Sequence, residues 1–133
     1  MILIIDTSDK KYLSIALSEE LPLEGVISRL PVDRNQAEKL IPAIEDILLA
    51  NKISAEDINK IAVVNHGGSF TSLRIGVITA NALAYAWNIP VVAIDSFSSR
   101  KELSGQVKKF SQHSLVEPAY DSDPQIGKLK SIL

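Results

Sequence analysis

Cysteine is missing from the sequence, which excludes thiolate catalysis, disulfide bonds and any metal site built on sulfur. Histidine is scarce, with only His66 and His113, and no HExxH spacing supplies the ligands of a zinc hydrolase. Neither histidine has a serine and an acid at a spacing that would make a protease triad. There is no excess of positive charge: 14 Lys and Arg against 16 Asp and Glu give a net charge of −2, so no chain-wide field draws in nucleic acid. Long apolar runs are lacking as well. The longest, residues 73–87, is broken by Arg74, Thr79 and Asn81 and is too short for a bilayer. The opening "MILIIDTSDKK" puts no basic residues ahead of its short apolar run, so it reads as a buried strand and not a signal peptide, and a cytoplasmic protein is expected.

What is present suits one domain. A chain of 133 residues, 46% hydrophobic and 23% charged, buries roughly two-thirds of its unfolded surface. Residues 2–5 form an apolar run typical of a strand covered on both faces. Residues 12–18 alternate apolar and polar, and the turn "DTSDKK" between the two runs makes them a hairpin. Residues 23–30 give a third strand. From 34 to 50 the period changes, and Ala37, Leu40, Ile41, Ile44, Ile47 and Leu48 fall on one helical stripe. Asn35 and Glu38 resemble a capping box at its start, and Pro42 removes a hydrogen bond inside it. Residues 54–58 read as a capped turn or short helix, 60–64 as a buried strand, 71–87 as a second helix and 91–94 as a fifth strand. Ser96 is placed to cap a last helix ending near Leu103. The order βββαβαβα implies an α/β fold with a mixed five-stranded sheet, an antiparallel meander joined to parallel crossovers. That is the ribonuclease H-like layout, assigned to residues 1–103. Residues 104–133 form a polar C-terminal tail with a short strand expected near Leu115.

The stretch "HGGSFTSLRIGVITA", residues 66–80, joins the fourth strand to the second helix. A Walker-type phosphate cradle needs a lysine at fixed spacing; this loop has none, and its one cation is Arg74. Only the weak anion affinity common to helix N-termini is left. Gly67 and Gly68 are read as supplying backbone angles that other residues resist, and Ser69 or Thr71 as capping the helix. The helix that follows has almost no polar face. Gly76, Ala80 and Ala84 recur every four residues, a row that admits either a partner helix or close internal packing.

The segments "ILIIDTS", "QAEKLIPAIEDILL" and "GGSFTSLRIGVITANALAYAWNIPVV" resemble, in order and spacing, the TsaB (YeaZ) family of subunits that serve threonylcarbamoyladenosine formation at position 37 of transfer RNA. The hallmark of that family is Gly-Pro-Gly-Ser-Phe-Thr-Gly-Leu-Arg-Ile-Gly. Gly68, Ser69, Phe70, Thr71, Leu73, Arg74, Ile75 and Gly76 match it, while His66, Gly67 and Ser72 depart from it. The resemblance covers about residues 1–103. It implies an actin-like fold of ribonuclease H-like halves and a non-catalytic relative of the TsaD transferase, with no cofactor. Such a subunit docks on the transferase helix pair to helix pair, an ATPase subunit (TsaE) joins, and transfer RNA is met only through the complex. On this chain the docking residues would be Ala37, Leu40, Ile41, Ile44 and Ile47 of the first helix and Ala80, Leu83, Ala84 and Trp87 of the second. The same surface would pair two copies when the chain is alone. The second half of the family fold has no counterpart after Leu103, although "LVEPAY", residues 115–120, resembles a proline-tyrosine segment near the family's carboxyl end. The sequence therefore reads as an internally deleted or minimal form.

A second reading starts from the carboxylates. Asp6 ends the first strand, Glu38 begins the first helix and Asp95 follows the fifth strand, so together they could form the cluster of a metal-dependent nuclease or junction resolvase. Against it, Asp6 can stabilise its own turn with Thr7 and Ser8, Asp95 can precede a helix start, and a chain of net negative charge hardly supplies the basic surface that holds a polyanion. An actin-like ATPase would need a second lobe over its nucleotide.

Overall fold

The computed structural model describes residues 1–20, 25–95 and 116. Strand β1 (Ile2–Asp6) lies in the middle of the sheet because its apolar residues alternate onto two faces that are both covered: Ile2, Leu3, Ile4 and Ile5 are all buried. It pairs antiparallel with β2 (Tyr12–Ser18), from Ile2 opposite Ser18 to Asp6 opposite Ser14, and β2 pairs antiparallel with β3 (Gly25–Pro31). On its other side β1 runs parallel to β4 (Lys60–Val64), which runs parallel to β5 (Val91–Ile94). The order β3-β2-β1-β4-β5 is the expected mixed sheet. Its parallel pairs are joined through α1 (Gln36–Ala50) and α2 (Phe70–Trp87), as parallel strands require a crossover.

Both helices cover one face. Leu3, Ile5, Leu13, Ile15, Leu17, Ile61, Val63 and Val91 share a core with Leu40, Ala43, Ile44, Ile47 and Leu48 of α1 and Val77, Ala80 and Ala84 of α2. The even-numbered strand residues Ile2, Ile4, Ala16, Ala62, Val64, Val92 and Ile94 form a second buried cluster on the opposite face. Val116 also belongs to the core under the helices, although it comes from the stretch expected to be a polar tail. The helix expected from Ser96 and the strand expected at Leu115 lie outside the described residues. Among the described residues, no helix is long and apolar enough to cross a membrane.

Two local expectations need correction. Helix α1 does not begin at Arg34, whose φ of 58° is left-handed, nor with a side-chain capping box. Asn35 turns its carboxamide back, and the Asp33 N–H donates to its Oδ1 at 2.8 Å, so no side chain caps the helix. The tight turn through Arg34 leaves Asn35 facing the residues before it and not the first helical N–H groups. The helix runs continuously through Pro42, which is exposed, so water can serve the carbonyl whose partner proline removes. The capped turn or short helix expected at residues 54–58 is there, as a 3₁₀ turn, Ala55–Asp57, in which the Ser54 N–H and Oγ donate to Asp57 Oδ2 at 2.9 and 3.1 Å. Those bonds hold the Asp57 carboxyl below the usual carboxylate range. Their contribution is present at neutral pH and is lost as the pH falls through that lowered value.

Candidate docking surface

The loop before α2 is built by contact with the turn after β1. Gly67 adopts φ +79°, and a Cβ on Gly68 would sit 2.8 Å from both Cα and O of Ser8, so the paired glycines answer two different constraints, conformation and close approach. Ser69 then caps α2: its Oγ accepts the Ser72 N–H at 3.2 Å and donates to Ser72 Oγ at 2.8 Å. Thr7, fully buried, donates from Oγ1 to the Ser72 carbonyl and ties the first turn of α2 to the end of β1. The expectation that this loop starts a helix holds, with Ser69 as the cap and Thr71 exposed beyond it. Replacing Ser69 with Ala is expected to cost about 1 kcal/mol, measurable as a lower midpoint in chemical denaturation with an unchanged slope. At the far end of α2, Asn88 takes φ 54° and the Ile89 N–H donates to the Ala84 carbonyl at 3.0 Å. The Asn-Ile-Pro triplet of residues 88–90 encodes this stop, at the end expected from the sequence.

The three candidate nuclease carboxylates are not brought together. Asp6 Oδ1 accepts the Ser8 N–H at 2.8 Å and the Ser8 hydroxyl at 2.6 Å. It therefore stabilises its own turn, with Ser8 but without Thr7. Among the described residues, no group of three or more His, Asp or Glu side chains is arranged to hold a metal ion, so Asp6, Glu38 and Asp95 form no such cluster.

The expected docking residues separate into two sets. Leu40, Ile44, Ile47, Ala80 and Ala84 are buried in the chain's own core. The alanine row in particular faces the sheet and not outward: Ala80 and Ala84 share one buried core with Ile61, Val63 and Val91. Leu83 and Trp87 are half-buried against that core, while Ala37 and Ile41 are exposed. Sequence reading missed the apolar residues that do face out: Leu49 on α1 is 80% exposed, and Ile78 and Tyr85 on α2 are 57% and 85% exposed. Ile78, Ala82 and Tyr85 stand at spacings of four and three, on one side of α2. Between the helices a groove of about 380 Å³ is lined by Ala37, Thr71, Arg74, Ile75, Ile78 and Thr79. Glu38, Lys39, Glu45 and Asp46 of α1 are exposed as well, so the outer surface of the helices mixes charged with apolar residues, as the rim of a protein interface does.

Comparison with known proteins places this arrangement. The family model described as "TsaD: tRNA N6-adenosine threonylcarbamoyltransferase" matches residues 17–101. The tRNA threonylcarbamoyladenosine biosynthesis protein TsaB of Bacillus subtilis (strain 168) is 31% identical over 121 residues, 91% of this chain and 50% of that protein. The tRNA N6-adenosine threonylcarbamoyltransferase of Rhodopirellula baltica is 35% identical over 71 residues, 53% of this chain and 20% of the relative. The solved structure of YeaZ from Pseudomonas aeruginosa superposes with a TM-score of 0.64 at 27% identity, covering 73% of this chain and 44% of that one. The chain thus spans half or less of the length of these relatives. The sheet order, the glycine loop seated on Ser8 and a match across more than half the chain agree: this chain belongs to the threonylcarbamoyltransferase family, in its TsaB/YeaZ group, with an α/β ribonuclease H-like fold.

Proposed function

We propose that this chain is a non-catalytic subunit in threonylcarbamoyladenosine formation on transfer RNA, and that it docks on a TsaD-type transferase through the outer faces of α1 and α2. The observation that carries the reading is a set of exposed large apolar residues, Ile41 and Leu49 on α1 and Ile78 and Tyr85 on α2, whereas the other described large apolar side chains of both helices are buried or half-buried against the core. Large apolar side chains left exposed among charged ones mark an interaction site. The choice of partner rests on kinship. A transferase 35% identical to this chain over 71 residues is expected to carry the same helix pair, so the two surfaces can meet about a pseudo-twofold axis as a four-helix seam. The same surface would pair two copies of the chain in the absence of the transferase. A non-catalytic role agrees with the use of Asp6 in its own turn.

The test is Ile78→Arg. Its side chain is more than half exposed, so the isolated domain should keep its melting temperature within the range of ordinary surface changes. At the seam, the same guanidinium would be buried without a partner, at a cost of several kcal/mol. Wild-type chain should co-elute with the TsaD-type transferase of the same source, and Ile78→Arg should elute alone. A folded Ile78→Arg that still co-elutes would show that docking lies elsewhere.

A further inference from the structure

Along an antiparallel ladder, the main-chain groups of successive residues point alternately to the neighbouring strand and away from it. The Val32 N–H donates to the Lys11 carbonyl at 2.8 Å, one step beyond the pair of Tyr12 and Pro31, and this fixes the alternation in β3. Val26, Ser28 and Leu30 turn their N–H and carbonyl groups to β2, while Gly25, Ile27 and Arg29 turn theirs to the free side. Pro31 falls on the free side too, where the N–H it lacks costs the sheet no bond. Because β3 ends the strand order, no strand among the described residues lies beside this edge. The edge carries Val26, 46% exposed, and Ile27, 53% exposed. Open edges are ordinarily guarded by charge or by proline. Here both guards, Arg29 and Pro31, stand at one end. Arg29 is moreover drawn back over its own sheet, its guanidinium 4.1 Å from the Tyr12 ring centre and 3.7 Å from Asp9 Oδ2. The other end, residues 25–27, is bare.

We propose that β3 pairs edge to edge with β3 of a second copy, antiparallel about a two-fold axis at Ser28. Ser28 is the middle of the seven residues, so this register lays each strand along the whole of the other. Ile27 then faces Arg29 of the second copy, each with both main-chain groups turned to the other, and the axis repeats the exchange. The guarded end of one strand lies along the bare end of the other. Pro31 faces Gly25, whose N–H can donate to the proline carbonyl and whose own carbonyl stays open to water because glycine adds no side chain. Side chains match as well. Val26 and Leu30, opposite Leu17 and Leu13 on the helix-covered face, come side by side, and Ile27, on the other face with Ala16, meets the arginine stem. A centre at Arg29 would set two like charges directly opposite, and a centre at Ile27 would leave Leu30 and Pro31 beyond the end of the second β3. The contact uses neither Ile78 nor Tyr85, so it is independent of docking through the helices.

The absence of cysteine lets a single introduced thiol report the register. Ser28→Cys faces its own copy across the axis in a non-hydrogen-bonded pair, where a Cα spacing of about 4.5 Å suits a disulfide. Val26→Cys lies beside Leu30 instead, with its own copy roughly 13 Å away. Under mild oxidation of the full chain, Ser28→Cys should form the covalent pair about tenfold faster than Val26→Cys, and should do so equally in an Ile78→Arg background. Ile27→Pro removes an outward N–H and no bond to β2. Ile27→Lys leaves the backbone unstrained and sets a lysine opposite Arg29. Each should bring the Ser28→Cys rate down to that of Val26→Cys. Equal rates for the two thiols, a Ser28→Cys rate untouched by Ile27→Lys, or a covalent pair that forms only with Ile78 intact would each overturn the proposal.

Discussion

Ala84→Arg should leave no folded domain for a partner to bind. Ala84 is 3% exposed and belongs to the core between α2 and the sheet, with Ala80 one turn earlier fully buried. An arginine there must either bury a guanidinium among the apolar side chains of that core or push α2 off the sheet. The first costs several kcal/mol, and the second exposes the core formed with Ile61, Val63 and Val91. An expected loss of about 4 kcal/mol or more is a large part of the 5–15 kcal/mol that holds an ordinary domain together. Circular dichroism should show loss of helix and of the cooperative thermal transition. A variant with native melting behaviour that fails only to bind would restore the alanine row as an outward-facing seam.

That row shows where sequence reading reached its limit. Helix α1 has charged residues at Glu38, Lys39, Glu45 and Asp46, so periodicity finds the stripe that holds Leu40, Ile44 and Ile47, but not that this stripe meets the sheet and not a partner. Helix α2 has no such contrast. When nearly every position is apolar, period cannot say which stripe meets the sheet, and small residues every fourth position fit a strand layer as well as another helix. Only the packing of the folded helix on the sheet decides it. The strands were legible because their alternation is enforced by two covered faces: Leu3 and Ile5 join one cluster, Ile2 and Ile4 the other. The Asn35 cap failed for a different reason. A carboxamide at a helix start can serve the residues before it as readily as those after, and a left-handed Arg34 settles the choice in a way composition does not reveal. The Asn81 carboxamide, which donates to the Val116 carbonyl and accepts its N–H, leaves no signal in the sequence because its partner is main chain.

Gly76→Val should be the second most damaging single change in the α2 region, and it reaches the docking face through packing and not contact. A Cβ at Gly76 would meet Thr7 Oγ1 at 2.5 Å and Thr7 Cγ2 at 3.2 Å. Thr7 cannot retreat: it is fully buried, its hydroxyl is committed to the Ser72 carbonyl, and a β-branched side chain that rotates only exchanges one γ atom for another. Valine adds two further carbons, and the overpacking should cost about 3 kcal/mol or more, read as a fall in melting temperature. Gly76→Ala isolates the cause. Alanine favours the helix by about 1 kcal/mol over glycine, yet the clash should leave the variant about 1–2 kcal/mol less stable than wild type. Thr7→Ala removes both offending γ atoms and leaves only its Cβ, 3.4 Å from the new methyl, an ordinary contact. It should cost about 1 kcal/mol by itself for the lost hydrogen bond to the Ser72 carbonyl, which still accepts within the helix. Gly76→Ala in that background should then be neutral or stabilising, a coupling of about 2 kcal/mol in a double-mutant cycle. Because Thr7 ties the first turn of α2 to β1, conditions under which Gly76→Val is still folded should also weaken co-elution with the transferase, although Gly76 is buried. Additive costs in the cycle would mean that Thr7 does not set the seat of α2.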